Sequence, residues 1–220
     1  MPAADPPVRV ALFAKAPVPG RVKTRLGRDL GNDAAADLYA AFLADLVERL
    51  SAAPGLELVI WAAAETDVEP LEDFSVPVAV QPAGDLGVRM QAAMRASLRE
   101  RARMIVLGSD APTLPLSRLH AAVRALDLAD LVVGPAVDGG YALIGATAEF
   151  DFGDRIRWST AHALADTEAR AAALQRRVAR VRPLYDIDTV ADLRLLRMEL
   201  AMDPRRAPRT AAWLKRMRPF

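Results

Sequence analysis

Short apolar runs alternate with amphipathic segments along this chain. Continuous apolar stretches, rich in Val, Ile and Leu, predict buried strands at 8–14, 56–63, 76–80, 104–107, 131–133, 141–144 and 178–182. Apolar residues at helical spacing predict helices at 32–50, 86–101, 116–126, 161–177 and 190–202. Because strands that are apolar on both faces need cover on both sides, this order predicts an α/β fold with a mostly parallel central sheet and helices on both faces.

Chemically useful side chains follow three of these strands. Lys15 comes after the first strand, Asp110 after the fourth, and Asp138 in the turn between the fifth and sixth. In open α/β sheets, ligands bind outside the carboxyl ends of the strands. We therefore expect these three residues to lie along one edge of the sheet, beside a common ligand.

The loop after the first strand, KAPVPGRVKTRL (15–26), is basic and contains the four cations Lys15, Arg21, Lys23 and Arg25. Its Gly20 permits close approach of the backbone to a ligand, and its cations can neutralise a polyphosphate. It contains neither the GxxxxGK[ST] string nor the GxGxxG string of the common nucleotide-binding loops. The loop predicts a phosphate site of another kind, and the alternative is a solvated basic loop.

Acidic residues at three places are candidates for a cation site or for catalysis. Asp110 ends an apolar strand and could bind Mg²⁺ or Mn²⁺, or could instead cap the following helix. Asp186 and Asp188 flank Ile187 and point the same way on an extended segment, so they could complete that site, or Asp188 could cap the last helix. Asp138 begins an Asp-Gly-Gly turn, which suits a tight hairpin or a carboxylate that faces a ligand.

Weaker candidates have simple structural explanations. Asp85 has the position of a helix cap, and Trp158 could pack in the core. Ser159 or Thr160 could cap the helix that follows, and His162 reads as a surface or packing residue because no partner lies near it in sequence.

Composition limits the class of protein. With 220 residues, of which 52% are hydrophobic, the chain suits one globular domain at 8–202, preceded by a flexible lead at 1–7 and followed by a basic tail at 203–220 that packs on the domain or extends from it. Lys and Arg (29) nearly balance Asp and Glu (28), so no overall charge attracts nucleic acid or a membrane. The chain has no Cys and only two His, which excludes disulfides and thiol catalysis.

The expected location is the cytoplasm. The first residues contain no apolar signal core, and no apolar run approaches the ~18 residues that span a bilayer. We expect partners to be small molecules, with neither nucleic acid nor a membrane among them, and the oligomeric state stays open.

Six ordered motifs together resemble a known family. They are FAKAPVPGRVKTRL (13–26), GDLGVRM (84–90), GSDAPTLP (108–115), VVGPAVDGGYALIG (132–145), WST (158–160) and DIDTVADL (186–193). Over residues 8–200 the chain resembles the bacterial DUF2064 family of nucleotide-diphospho-sugar transferase type, which is related to 2-phospho-lactate guanylyltransferase. The resemblance implies a Rossmann-like GT-A fold, a nucleotide at the carboxyl edge of the sheet, and Mg²⁺ or Mn²⁺ as cofactor.

The resemblance and the residue types together assign roles to particular positions. Catalytic roles fall to Lys23, Asp110 and Asp138, and metal binding falls to Asp110 and Asp188. The residues expected to bind the nucleotide and its phosphates are Lys15, Gly20, Arg21, Lys23, Thr24, Arg25, Asp85 and Ser109. The residues expected on the acceptor side are Gly139, Gly140, Tyr141, Trp158, Ser159 and Thr160.

Two reactions and one binding function remain open. In a nucleotidyltransferase, an acceptor phosphate attacks the α-phosphorus of a nucleoside triphosphate, which suits a loop with four cations. In a glycosyltransferase, an acceptor attacks the sugar of a nucleoside-diphosphate sugar, and Asp138 could be the base. We favour nucleotidyl transfer, and the third possibility is a nucleotide-binding domain without catalysis.

Overall fold

The computed structural model describes residues 7–100 and 103–217. The strands are β1 (Val8–Ala14), β2 (Leu56–Ala62), β3 (Val78–Val80), β4 (Met104–Gly108), β5 (Leu131–Pro135), β6 (Tyr141–Ala146) and β7 (Val178–Arg180). The helices are α1 (Thr24–Leu30), α2 (Asn32–Ser51), α3 (Val68–Glu72), α4 (Leu86–Leu98), α5 (Leu116–Ala125), α6 (Ala163–Ala173), α7 (Val190–Met202) and α8 (Pro208–Arg216). Single 3₁₀ turns lie at Glu65–Asp67 and Pro204–Arg206.

The described strands form a seven-stranded sheet in the order β3-β2-β1-β4-β6-β5-β7. β1 pairs in parallel with both β2 and β4, and the pairs β2–β3 and β5–β7 are parallel too. β6 is antiparallel to β4 and β5, because a tight turn connects it directly to β5. The predicted α/β fold with a mostly parallel sheet is confirmed.

Both faces of the sheet are buried, as apolar strands require. Along β1, Val10 and Leu12 point into a core formed with α2, α7 and α8, while Ala11 points into a second core under α4 and α6. The apolar residues that repeat every four positions along α2, Leu38, Phe42, Leu46 and Leu50, are all buried. Burial of each such side chain stabilises the fold by ~1.5–3 kcal/mol. Helices on both faces leave the two ends of the strands open, and the carboxyl end is where a ligand can bind.

The start of α6 corrects one sequence prediction. The helix begins at Ala163 after His162, and neither Ser159 nor Thr160 caps it. The Thr160 hydroxyl donates instead to the carbonyl of Arg157, and Ser159 has a positive φ of 59°. The helix also ends at Ala173, well before the expected end at residue 177.

Part of the predicted basic tail belongs to the packed structure. Asp45 of α2 is buried and accepts hydrogen bonds from the backbone N–H groups of Arg209 and Thr210 and from the Thr210 hydroxyl. Trp213 and Leu214 are buried against the same core. A carboxylate of α2 therefore caps α8 and fixes it to the domain.

Three sequence predictions fall wholly or partly outside the described residues: the lead up to residue 6, the helix end at 101, and the tail after 217. Among the helices that are described, none combines the length and the apolar character that crossing a membrane would need.

Candidate functional site

A cleft of about 430 Å³ opens at the carboxyl edge of β1 and β4. It is lined by the residues that follow these two strands and by the basic loop between β1 and α1. The predicted site residues among its lining are Lys15, Arg21, Lys23, Thr24, Arg25, Ser109, Asp110 and Asp188. The structure therefore brings the basic loop and two of the acidic candidates together on one cleft.

Lys23 is the buried centre of this group. Its side chain is only 3% exposed, and its ammonium lies 2.5 Å from Oδ1 of Asp110 and 3.1 Å from Oδ1 of Asp188. The ammonium also lies 5.7 Å from the centre of the Phe42 ring. A desolvated ammonium is tolerated only with opposite charges beside it, so the two carboxylates explain why Lys23 can be buried.

The backbone places Lys23 at a special point. The residue has the left-handed conformation with φ 45° and ψ 43°, and it stands directly before α1. This conformation costs a non-glycine residue ~1–2 kcal/mol. The ion pairs with Asp110 and Asp188 offset that cost and hold the loop against the strand ends.

The capping alternatives for Asp110 and Asp188 are wrong. Pro115 is the residue that precedes α5, so Asp110 does not cap it. Thr189 caps α7 in a reciprocal capping box with Asp192, which leaves Asp188 free to pair with Lys23. The Asp110 carbonyl accepts a hydrogen bond from the Ile187 N–H, and this bond joins the segment 186–188 to the end of β4.

Asp186 adds a further carboxyl to the site. Burial and the negative charge of Asp110 raise the pKa of Asp186 to about 7. Asp188 and Asp138 add to this rise, and the positive charge of Lys23 opposes it. The sequence suggests that Asp186 and Asp188 could together complete a cation site, but the predicted metal ligands include only Asp188 with Asp110. The Asp-x-Asp spacing was the signal that could have identified it.

The acids around Lys23 suit a divalent cation of the Mg²⁺ or Mn²⁺ type. Asp110, Asp188 and Asp138 all act electrostatically on Asp186, and Lys23 supplies a buried positive charge beside Asp110 and Asp188. Within 7–100 and 103–217, no group of three or more His, Cys, Asp or Glu side chains is arranged to hold a metal alone. Asp110 and Asp188 could supply two oxygen ligands, with substrate phosphates supplying others, which is the usual mode of Mg²⁺ binding.

Tyr39 of α2 ties the two strand ends together. Its hydroxyl lies 2.7 Å from Oγ of Ser109 and accepts a hydrogen bond of 3.3 Å from the Lys15 N–H. Burial, with a smaller effect of Asp110, raises the pKa of the Tyr39 phenol. The sequence marks Tyr39 only as a residue next to the apolar stripe of α2, so this link could not be predicted.

Arg21 of the basic loop forms an ion pair with another acid, Asp67. Its guanidinium is 3.1 Å from Oδ1 of Asp67, which is 1% exposed and makes no well-directed hydrogen bond. Asp67 belongs to a 3₁₀ turn for which the sequence predicted no element. Gly20 precedes Arg21 with φ 77° and shapes the turn without lining the cleft.

Gln81 and Arg89 also line the cleft. The Gln81 amide donates to the carbonyl of Trp61 at 2.7 Å, and Arg89 donates to the carbonyl of Gly84 at 3.0 Å. Asp85 stands outside the lining and accepts the Val88 N–H at 2.9 Å, so it caps α4. The structure thus shows the capping function of Asp85, and its nucleotide contact stays a prediction.

The predicted acceptor residues form a neighbouring unit and do not line the cleft. Oδ1 of Asp138 accepts the Gly140 N–H at 2.9 Å within the turn between β5 and β6. Gly139 has φ 88°, and a Cβ there would lie 2.3 Å from the Ala161 carbonyl oxygen, so the turn presses against the segment that holds Ser159 and Thr160. Of this unit, Asp138 is the residue that acts electrostatically on Asp186.

The two aromatic residues predicted on the acceptor side are held by packing. The Tyr141 hydroxyl lies 3.3 Å from Oγ1 of Thr167, and burial raises its pKa. Trp158 packs edge-on against Phe152, with ring centres 5.5 Å apart. Contact of either ring with an acceptor therefore remains a prediction.

The chain is similar in sequence to a bacterial protein family and to a protein of known structure. The profile of the family DUF2064, described as an uncharacterized protein conserved in bacteria, matches residues 46–160. A protein from Desulfovibrio desulfuricans G20, described provisionally as a nucleotide-diphospho-sugar transferase, is 34% identical, with 94% of each chain covered and a TM-score of 0.87. No curated protein matches the chain in sequence.

More distant structures share the fold. A cytidylyltransferase from Leptospira borgpetersenii serovar Hardjo-bovis is 14% identical, with a TM-score of 0.64 and with 96% of this chain and 93% of that chain covered. The manganese complex of Rv0371c from Mycobacterium tuberculosis H37Rv is 16% identical, with a TM-score of 0.50 and coverage of 88% and 98%. At these identities the likeness concerns the fold alone.

Proposed function

Because the chain belongs to the bacterial DUF2064 family, we propose that it is a nucleotidyltransferase. It transfers a nucleoside monophosphate from a nucleoside triphosphate to a small phosphorylated acceptor, with Mg²⁺ or Mn²⁺ as cofactor. The observation that carries this proposal is the cleft in which the basic loop meets Asp110 and Asp188 around the buried ammonium of Lys23. The reaction belongs in the cytoplasm, where nucleoside triphosphates are made.

The charges of the cleft match those of a triphosphate with its metal. Lys15, Arg21, Arg25 and Arg89 line the cleft with Lys23, and they can neutralise phosphate oxygens directly. Asp110 and Asp188 would hold the divalent cation, which when bound neutralises charge on the phosphate groups. Such an arrangement acts mainly by positioning and by preorganised charge, which is what nucleotidyl transfer needs.

Lys23 has a special part in this proposal. Its ammonium pairs with both Asp110 and Asp188 and lines the cleft, so it can hold a phosphate oxygen on one side and the carboxylates on the other. In the reaction, the acceptor phosphate oxygen bonds to the α-phosphorus while the bond to pyrophosphate breaks. Lys23 and the exposed Arg25 stabilise the negative charge that this step moves onto the leaving group.

Glycosyl transfer is the second candidate, and one feature favours it. Burial and the charge of Asp110, with smaller contributions from Asp188 and Asp138, raise the pKa of Asp186 to about 7. A carboxylate with such a pKa is suited to general base catalysis near neutral pH. The 34% identical protein from Desulfovibrio desulfuricans G20 is described provisionally as a nucleotide-diphospho-sugar transferase. A binding domain without turnover is the third candidate.

Product analysis separates the three candidates. The purified chain is incubated with Mg²⁺, each nucleoside triphosphate and a panel of small phosphorylated acceptors, and pyrophosphate release is measured. Pyrophosphate that depends on an acceptor supports the proposal, whereas nucleoside diphosphate released from nucleoside-diphosphate sugars supports glycosyl transfer. Nucleotide binding without either product across the panel contradicts both.

Two variants connect any activity to the cleft. Asp110→Asn should lower the rate by about 100-fold or more, because it removes the charge that holds the cation. Asp37→Asn is the matched control, since Asp37 is an exposed carboxylate on α2 outside the cleft. Equal activity of the Asp110→Asn and Asp37→Asn variants would remove Asp110 from the site.

A further inference from the structure

A second, smaller cavity of about 110 Å³ lies behind the segment that begins at Asp110. Its lining includes Thr113, Arg118, Leu184, Tyr185 and Arg206, and it shares no residue with the larger cleft. A water molecule accounts for ~30 Å³ of liquid, so this volume suits a few waters or one tetrahedral oxyanion. It is much smaller than the ~300–1,000 Å³ of usual sites for whole nucleotides or similar ligands.

Arg118 is the unusual residue of this cavity. Its Nη1 is inaccessible to solvent and has no hydrogen-bond partner, and no described side chain in 7–100 or 103–217 forms an ion pair with it. The Arg118 residue as a whole is half-buried, but a guanidinium stays charged in proteins, so an Nη1 that is shielded from water without a partner is costly. The residue lines a cavity, so a ligand could supply the partner that the chain lacks.

The sequence around Arg118 offers no acid to compensate it. Arg118 lies in the first turn of α5, and its neighbours one helical turn away are Leu114, Pro115, Ala121 and Ala122. The first turn of a helix itself carries partial positive charge from its free N–H groups. The helix therefore supplies no negative group to Arg118, and its first turn adds partial positive charge.

Arg206, the other charged residue among the described lining of the cavity, is compensated by Glu199 next to it. The Arg206 guanidinium lies 2.5 Å from Oε1 of Glu199 and also donates to the Thr113 carbonyl at 3.4 Å. The Tyr185 hydroxyl donates to the other oxygen of Glu199. With Arg206 and Glu199 paired, the charge of Arg118 remains as the net charge of the cavity, and it calls for one negative group.

We propose that this cavity is an oxyanion site, in which the guanidinium of Arg118 binds a phosphate or carboxylate group of a small molecule. Arg206 lines the same cavity and its side chain is 40% exposed, so its guanidinium can add a second charge-assisted contact. Ala111 lines the cavity directly after Asp110, so a bound oxyanion touches the segment that carries Asp110. The site is separate from the proposed transferase cleft and does not depend on its activity.

Inorganic phosphate is the probe for the test. The full chain labelled with ¹⁵N is titrated with phosphate at constant ionic strength, and amide shifts are followed by NMR. Saturable shifts are expected for residues 113–118 and 184–185. In Arg118→Met the phosphate affinity obtained from these shifts should fall at least about tenfold, because a charge-assisted contact is lost. The shifts at residues 21–25, which report phosphate in the cleft, should persist.

Two further variants keep the test decisive. Arg124→Met changes an exposed arginine on the same helix and should leave the phosphate shifts of residues 113–118 as they are. If Arg118→Met does not fold, Arg118→Lys replaces it and should also weaken binding, because lysine lacks the planar fork of arginine. The proposal is overturned if the unaltered chain shows no saturable shift at 113–118, or if the Arg118 variants bind phosphate as tightly as the Arg124 variant.

Discussion

The ammonium of Lys23 lies 2.5 Å from Oδ1 of Asp110, although the first residue follows β1 and the second follows β4. The contact exists because β1 and β4 are neighbouring parallel strands whose carboxyl ends meet at one edge. Asp188, from the segment before α7, completes the arrangement at 3.1 Å. Three distant parts of the chain thus meet where a phosphate and its metal could bind.

Replacing the buried ammonium tests its role as the counter-charge of the acids. Lys23→Met leaves Asp110 and Asp188 without the ammonium that pairs with them. Because these carboxylates are 43% and 47% exposed, the free energy of unfolding should fall by only about 1–2 kcal/mol. Mg²⁺ should then raise the melting temperature of the variant more than that of the unaltered chain, since it replaces the missing charge. An equal effect of Mg²⁺ on both proteins would argue against a cation site between Asp110 and Asp188.

The link made by the Tyr39 hydroxyl should contribute to the stability of the fold. Tyr39→Phe removes the hydroxyl that bonds to Ser109 and accepts from the Lys15 N–H, and the expected cost in the free energy of unfolding is about 1–2 kcal/mol. A double-mutant cycle with Ser109→Ala measures the shared part by urea denaturation. Strict additivity of the two changes would mean that the observed contact between these hydroxyls contributes nothing.

The turn at Asp138 depends on a glycine with no space beside it. Gly139→Ala places a Cβ 2.3 Å from the Ala161 carbonyl oxygen at φ 88°, so the free energy of unfolding should fall by about 3 kcal/mol or more. Gly55→Ala is the matched control, because Gly55 has φ 77° with nothing within 4 Å of the added atom, and it should cost about 1 kcal/mol. Similar losses in the two variants would mean that the turn is not pressed against Ala161.

The capping carboxylate of α8 gives a prediction about the carboxyl-terminal part of the chain. Asp45→Ala removes the acceptor of three hydrogen bonds from Arg209 and Thr210. The free energy of unfolding should therefore fall by about 2–3 kcal/mol. Hydrogen exchange should become faster throughout α8 while the sheet stays protected. Glu48→Gln changes an exposed partner of Arg209 and should cost under about 0.5 kcal/mol, and a comparable loss there would contradict the capping role of Asp45.

Much of the fold could be predicted because its elements have strong local patterns. β1 and α7 agree with the predicted limits, since one is a continuous apolar run and the other starts at a capping box. The start of α6 could not be predicted, because Thr160 resembles a cap in sequence but bonds to the Arg157 carbonyl in space. Thr160 has the residue type of a helix cap, but its hydroxyl forms a local hydrogen bond to a backbone carbonyl instead of capping α6.

The missed parts of the site depend on contacts between distant segments. The sequence left open whether the basic tail packs on the domain or extends from it, because only the distant Asp45 of α2 caps α8 and only the folded core buries Trp213. Tyr39 and Asp67 contact the loop after β1 only because the fold brings α2 and the 3₁₀ turn at Glu65–Asp67 close to that loop. Lys23 and Asp110 were predicted together because strand ends share an edge, which is a property of the topology that the sequence pattern does reveal.

A crystal structure with Mn²⁺ and a non-hydrolysable nucleoside triphosphate tests the central claim most directly. The account predicts an anomalous peak for Mn²⁺ beside Asp110 and Asp188, with the phosphates against Lys23 and the basic loop. A nucleotide bound elsewhere, or phosphates in the cleft without Mn²⁺ at these carboxylates, would contradict it.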